Sequence, residues 1–180
     1  MVRFIVTLAL ATSAIGAEPA KDGGLGEKVR KFAKDNLGEK VDDGECALLA
    51  MRALESAGAK TTSDFKVTGE IGDYVWGKLV EKYDDAKPGD IIQFRDVKIV
   101  STLVVKQPGG GTRTSTRSQT MTQHTAIVSA NLGKGKFKVL EQNVGLPGAD
   151  EKARKVVQEN TIDLGDKTEG KVWIYRPVAK

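Results

Sequence analysis

The chain has 180 residues, 39% of them hydrophobic and 29% charged, with a formal net charge of +4. That suits one soluble domain with a real core, and the modest, dispersed positive charge makes no case for nucleic acid. A single cysteine and a single histidine exclude an internal disulfide and fall short of the usual zinc ligand sets.

Met1 to Thr12 has one early cation, Arg3, followed by an apolar run, and Ala14-Ile15-Gly16-Ala17 offers small residues for cleavage. Residues 1–17 therefore read as a secretory signal peptide, too short to span a bilayer. The expected product is secreted or periplasmic, with no membrane span once the signal is removed. Residues 18–26 are rich in Gly and charge and read as a linker, leaving 27–180 as the domain.

From Glu27 the apolar residues Val29, Phe32, Ala33 and Leu37 have helical spacing, ended by Gly38. Asp42-Asp43-Gly44-Glu45-Cys46 then leads into a second helix that stops at Gly58. Asp43 is a candidate N-cap, and the recurring Ala47, Ala50, Ala53 and Ala57 leave one flank small enough for close packing. Cys46 stands at the helix N-terminus, where free N–H groups and the positive end of the macrodipole favour a thiolate. Against this, Asp42, Asp43 and Glu45 would raise the thiol if their carboxylates faced it. A lone cysteine also serves as a small buried hydrophobe.

Thr61 to Gly72 reads as a polar loop with a short strand around Phe65-Lys66-Val67, and Tyr74 to Val80 fits strand or helix. Lys87-Pro88-Gly89-Asp90 is a turn that feeds a strand from Asp90 to Phe94. Val97 to Lys106 and Thr112 to Thr122 read as the arms of an inserted hairpin joined at Pro108-Gly109-Gly110-Gly111. Its second arm is basic and polar on both faces, which suits an exposed edge or a substrate flap.

His124 to Ala130 and Phe137 to Asn143 form a second hairpin around Gly133-Lys134-Gly135. Strand alternation sets Glu141 and Asn143 on one face, and antiparallel pairing brings them to the same end as His124. Lys152 to Gln158 reads as a short helix, or a strand and a loop. Lys171 to Arg176 is a closing strand stopped by Pro177.

Gly44-Glu45-Cys46, Pro88-Gly89-Asp90-Ile91, His124-Thr125-Ala126-Ile127-Val128 and Glu141-Gln142-Asn143, in this order, resemble the CHAP branch of the NlpC/P60-like, papain-like cysteine hydrolases. The chain is also similar to the cysteine-proteinase-fold domain at the C-terminus of some fungal actin-patch proteins. The resemblance implies an α+β fold with the N-terminal helices packed on an antiparallel β-sheet. It implies Cys46 as nucleophile, His124 as general base and acid, and Glu141 or Asn143 as the group that orients the ring. The implied reaction is hydrolysis of an amide bond in a peptide or in peptidoglycan, through a thioester and without metal or organic cofactor. The alternative is a papain-like domain that binds or scaffolds without catalysis.

Overall fold

A computed structural model describes residues 24–65, 73–106, 111–145 and 150–180. The expected signal peptide and the joint at Pro108 to Gly110 lie outside the described residues, as do Lys66 and Val67 of the expected short strand. Phe65 ends a 3-10 turn at Thr62–Asp64.

The helices are α1 (Leu25–Asp35), α2 (Cys46–Ser56) and the short α3 (Glu151–Arg154). The strands are β1 (Lys78–Val80), β2 (Ile91–Lys106), β3 (Thr112–Gly133), β4 (Lys136–Glu141), β5 (Gln158–Asp163) and β6 (Lys167–Arg176). They form one six-stranded sheet in the order β1-β6-β2-β3-β4-β5, every neighbouring pair antiparallel. The fold is α+β, as the resemblance implied. α1 begins at Leu25, inside the stretch read as linker, and ends at Asp35, before Leu37. Leu37 is exposed and forms an isolated bridge with Val157 instead.

Alternation along the strands separates two apolar layers. Ile91, Ile127, Leu140 and Tyr175 pack with Val29 and Ala33 of α1 and Leu49, Ala50, Ala53 and Leu54 of α2. Ile92, Phe94, Ala126, Val128, Phe137, Val139 and Ile174 form the second layer on the opposite face. Each fully buried Leu, Ile, Val or Phe contributes about 1.5–3 kcal/mol. The alanines of α2 let α1 approach closely, which seats the N-terminus of α2 against the sheet.

The turn before β2 is fixed by chemistry local to it. Asp90 N–H donates to Lys87 C=O at 3.0 Å, with Pro88 and a left-handed Gly89 (φ 86°) between them, the pattern of a type II turn. A Cβ on Gly89 would lie 1.8 Å from the carbonyl oxygen of Gly26. Asp90 itself is buried and accepts from Arg176 Nη2 at 2.9 Å, tying the turn to β6.

The arms expected to be an inserted hairpin are extensions of the core strands. β2 and β3 pair without interruption of register sum from Ile91↔Ile127 to Lys106↔Thr112, apart from an irregularity at Asp96. Asp96 takes a left-handed backbone (φ 49°), and the register against β6 shifts between Arg95 and Lys98. Such a bulge bends the strand and re-aims its faces, so Val97 and Met121 join the second apolar layer.

Candidate active site

Cys46 is the first residue of α2. The loop leading to it is held by Gln142, which is fully buried. Gln142 Nε2 donates to the carbonyls of Val41 at 3.0 Å and Glu45 at 2.8 Å, and its Oε1 accepts from Val41 N–H at 3.3 Å. One side chain at the end of β4 thus fixes both ends of the loop that aims Cys46. Gly44 turns this loop with a left-handed backbone (φ 89°), and a Cβ there would strike the Lys155 side chain at 2.7 Å. The N-cap is Glu45, not Asp43, and it makes no side-chain cap; Asp43 Oδ1 accepts from Glu45 N–H at 2.9 Å.

The three acids that threatened the thiolate are engaged elsewhere. Asp42 pairs with Arg52, one and a half turns along α2. Asp43 is spent on the loop, as above. Glu45 accepts from Asn143 Nδ2 at 2.8 Å and lies 3.6 Å from Lys155 Nζ.

His124 lies on β3 beside Phe94 of β2, with ring centroids 5.8 Å apart, and is 5% exposed. Its Nε2 meets Glu141 Oε2 at 2.7 Å, and Glu141 is 2% exposed. A carboxylate only accepts, so Nε2 carries the proton. The other Glu141 oxygen accepts from Asn160 Nδ2 of β5 at 3.0 Å, which fixes the carboxylate from behind. With Nε2 occupied, Nδ1 is the nitrogen left to serve the thiol, and His124 and Cys46 shift each other's titration.

The β3–β4 ladder ends at Ile127↔Leu140. The backbone N–H groups of Thr125 and Ala47 add to the influences that favour the Cys46 thiolate. Thr125 is braced in turn. Its hydroxyl donates to Gln93 Oε1 at 2.9 Å, and the same oxygen accepts from the indole N–H of the buried Trp76 at 3.0 Å.

Burial pushes the Cys46 thiol up, but the hydrogen bond and charge of His124 and the two backbone N–H groups outweigh it and hold the thiol below its ordinary value. Burial pushes the His124 ring down, yet its hydrogen bonds to Cys46 and Glu141, and their charges, raise it to about 10. The two shifts run in opposite senses, each group favouring the charged form of the other.

Cys46, His124 and Glu141 therefore come together. Asn143 does not share a strand face with Glu141, as alternation had implied. β4 ends at Glu141, and Asn143 has a left-handed backbone (φ 57°), so its amide turns to Glu45. Sequence reasoning missed Gln142, whose partners lie 101 and 97 residues away, and also Asn160, Gln93 and Trp76. A polar residue between Glu141 and Asn143 was visible, but not its burial. Among the described residues no group of three or more His, Cys, Asp and Glu side chains could hold a metal ion. A depression of about 300 Å³ lined by Leu79, Tyr83, Val172 and Trp173 lies at the β1–β6 edge, away from Cys46.

Residues 20–180 match the family model described as the AIM3/BBC1 cysteine proteinase-fold domain. No curated protein and no solved structure matches the chain. A cysteine at a helix start, a histidine on the neighbouring strand and a carboxylate behind it agree with that description, and the match spans most of the sequence. The chain belongs to the AIM3/BBC1 cysteine proteinase-fold domain family.

Proposed function

We propose that the domain is a cysteine hydrolase that cleaves an amide bond through Cys46, His124 and Glu141. The observation that carries this reading is the buried His124 Nε2–Glu141 hydrogen bond of 2.7 Å, which leaves Nδ1 to serve the thiol. A histidine kept only for packing has no need of a buried carboxylate on one side and a half-buried thiol on the other.

In the proposed reaction the Cys46 thiolate attacks the carbonyl carbon of the scissile amide. The Cys46 backbone N–H, at the first helical position, donates to the oxyanion. Collapse breaks the C–N bond, and His124 Nδ1–H gives its proton to the leaving amine. The resulting thioester is attacked by water, whose proton passes to Nδ1. Release of the carboxylic acid restores the thiolate and the imidazolium. Glu141 stabilises the protonated ring throughout and keeps its tautomer. The substrate class is a peptide or peptidoglycan amide. Secretion belongs to the same reading and rests on the signal-like character of residues 1–17.

Incubation with a peptide library and with muropeptides, read by mass spectrometry, tests the reaction. New amine ends that vanish with Cys46→Ala support it. No cleavage, together with Cys46 alkylation no faster than that of a free thiol at pH 6, overturns it.

A second reading, a binding or scaffold domain on the same fold, is favoured by the exposed outer part of the β2–β3 hairpin. On that reading Cys46→Ser leaves the biological role intact. Loss of that role with unchanged folding counts against it.

A further inference from the structure

Beyond Ile99 the β2–β3 hairpin leaves the sheet. β6 pairs with β2 only as far as Ile99↔Lys167, and β4 pairs with β3 only from Ile127 onward. From Val100↔Ser118 to Lys106↔Thr112 the two strands pair only with each other among the described residues. At about 3.3 Å per residue this ribbon extends about 20 Å. Residues 111–120 are exposed throughout. The strands themselves, at 16 and 22 residues, far exceed the length their core pairing uses.

Beyond Ser101, whose hydroxyl donates to Asp166 Oδ2 at 2.8 Å, a two-stranded ribbon with an exposed second strand is marginal by itself, because its ordering entropy is offset by little burial. Its chemistry is also one-sided. Between Val97 and Leu140 the sequence holds no Asp or Glu, and the ribbon carries Lys106, Arg113 and Arg117. These three have no ion pair among the described residues. Arg113 and Arg117, four residues apart on one strand, share a face at a spacing of about 13 Å. The ribbon has no aromatic side chain to stack a base or enter a membrane. A second copy would bring the same positive charge and be repelled.

We propose that the ribbon is a docking strand for an extended acidic segment of a partner protein. The segment adds to the open edge of β3 between Thr112 and Met121, main chain to main chain, and its carboxylates meet Arg113 and Arg117. Ladder hydrogen bonds supply the attachment, and the unpaired guanidinium groups select acidic over basic strands. The surface does not include Cys46 and works whether or not that residue is a nucleophile.

The test uses the full chain and a fluorescent peptide alternating Glu with Val, read by anisotropy. Two further probes are vesicles of phosphatidylcholine with phosphatidylserine, and oligo(U) RNA. The account expects the peptide to bind and the double variant Arg113→Glu/Arg117→Glu to bind about tenfold more weakly. Arg113→Gln/Arg117→Gln, which keeps size without reversing charge, gives a smaller loss in the same direction. N-methylation of alternate peptide amides on the pairing edge removes binding, because it deletes the ladder donors. Equal binding of the methylated peptide would overturn the proposal, since charge alone would then suffice. Binding of the vesicles or the RNA without binding of the peptide would overturn it equally.

Discussion

Replacing Glu141 by Gln removes a negative charge from a buried 2.7 Å hydrogen bond while keeping nearly the same volume. The amide that results must choose. If its oxygen stays on Nε2–H, its NH₂ meets the Asn160 amide that now donates to Glu141 Oε1. If it flips, Nε2 must accept, the proton moves to Nδ1, and the neutral ring can no longer take the thiol proton. Both outcomes weaken the imidazolium. A hydrogen bond to a charged group contributes about 1.5–3 kcal/mol, and one pKa unit corresponds to about 1.4 kcal/mol. The ring, held at about 10, is therefore expected to fall by roughly one to two units. Because the chain has a single histidine, its Cε1–H resonance reports the titration without assignment. A midpoint in Glu141→Gln equal to that of the wild type would refute the charge argument. So would a wild-type midpoint near the ordinary 6.5.

Gln142→Ala deletes three hydrogen bonds, two of them buried, and leaves the Val41 amide without its partner. The expected loss is about 2–4 kcal/mol, seen as a fall in Tm of about 5–15 °C with slower Cys46 alkylation; unchanged values of both would refute the role. Gly89→Ala puts a methyl 1.8 Å from a backbone oxygen at a positive φ. It should fail to fold or lose several kcal/mol (roughly 3 or more), and a melt within 2 °C or so of the wild type would contradict the turn geometry. The ion pair also predicts a pH profile. The raised His124 contributes stability that is full below 6.5 and is lost as pH rises through about 10. The depressed Cys46 contributes stability that is full above 9.0 and is lost as pH falls through its folded value. Where the two windows overlap, below 9.0, the slopes oppose each other, so the stability difference between wild type and Cys46→Ser is expected to vary little there, to shrink as pH rises above 9.0 and to shrink as pH falls through the folded Cys46 value. Denaturant melts across that range check it, and a difference that rises steadily with pH would contradict the pairing.

Much of this arrangement was legible in the sequence. Cys46 at a helix start and Glu141 at a strand end are local patterns, and the antiparallel hairpin carries Glu141 to His124, although His124 lies within β3 and does not open it as expected. The turn at Pro88-Gly89 was legible for the same reason, since its backbone demand is written in adjacent residues. What stayed hidden depends on distance or on a backbone exception. Asn143 looked equivalent to Glu141 because alternation assumes the strand continues, and its left-handed backbone ends that assumption. The outer hairpin looked like an insertion because its polar arms differ from the core strands, although the register carries straight through Asp96. The acids beside Cys46 looked unfavourable until Arg52, Asn143 and Lys155 were seen to occupy them. Lys155 lies more than a hundred residues along the chain and no local rule could supply it.

The central claim is that His124 holds Cys46 as a thiolate at neutral pH, and the chain's single cysteine makes that directly measurable. The rate of Cys46 alkylation by iodoacetamide, followed by intact mass from pH 5 to pH 10, should be compared between the wild type and His124→Ala. The account predicts a rate plateau already present below pH 7 in the wild type, and its loss in the variant. A single titration near that of a free thiol, at about 8.5 and the same in both proteins, would contradict it.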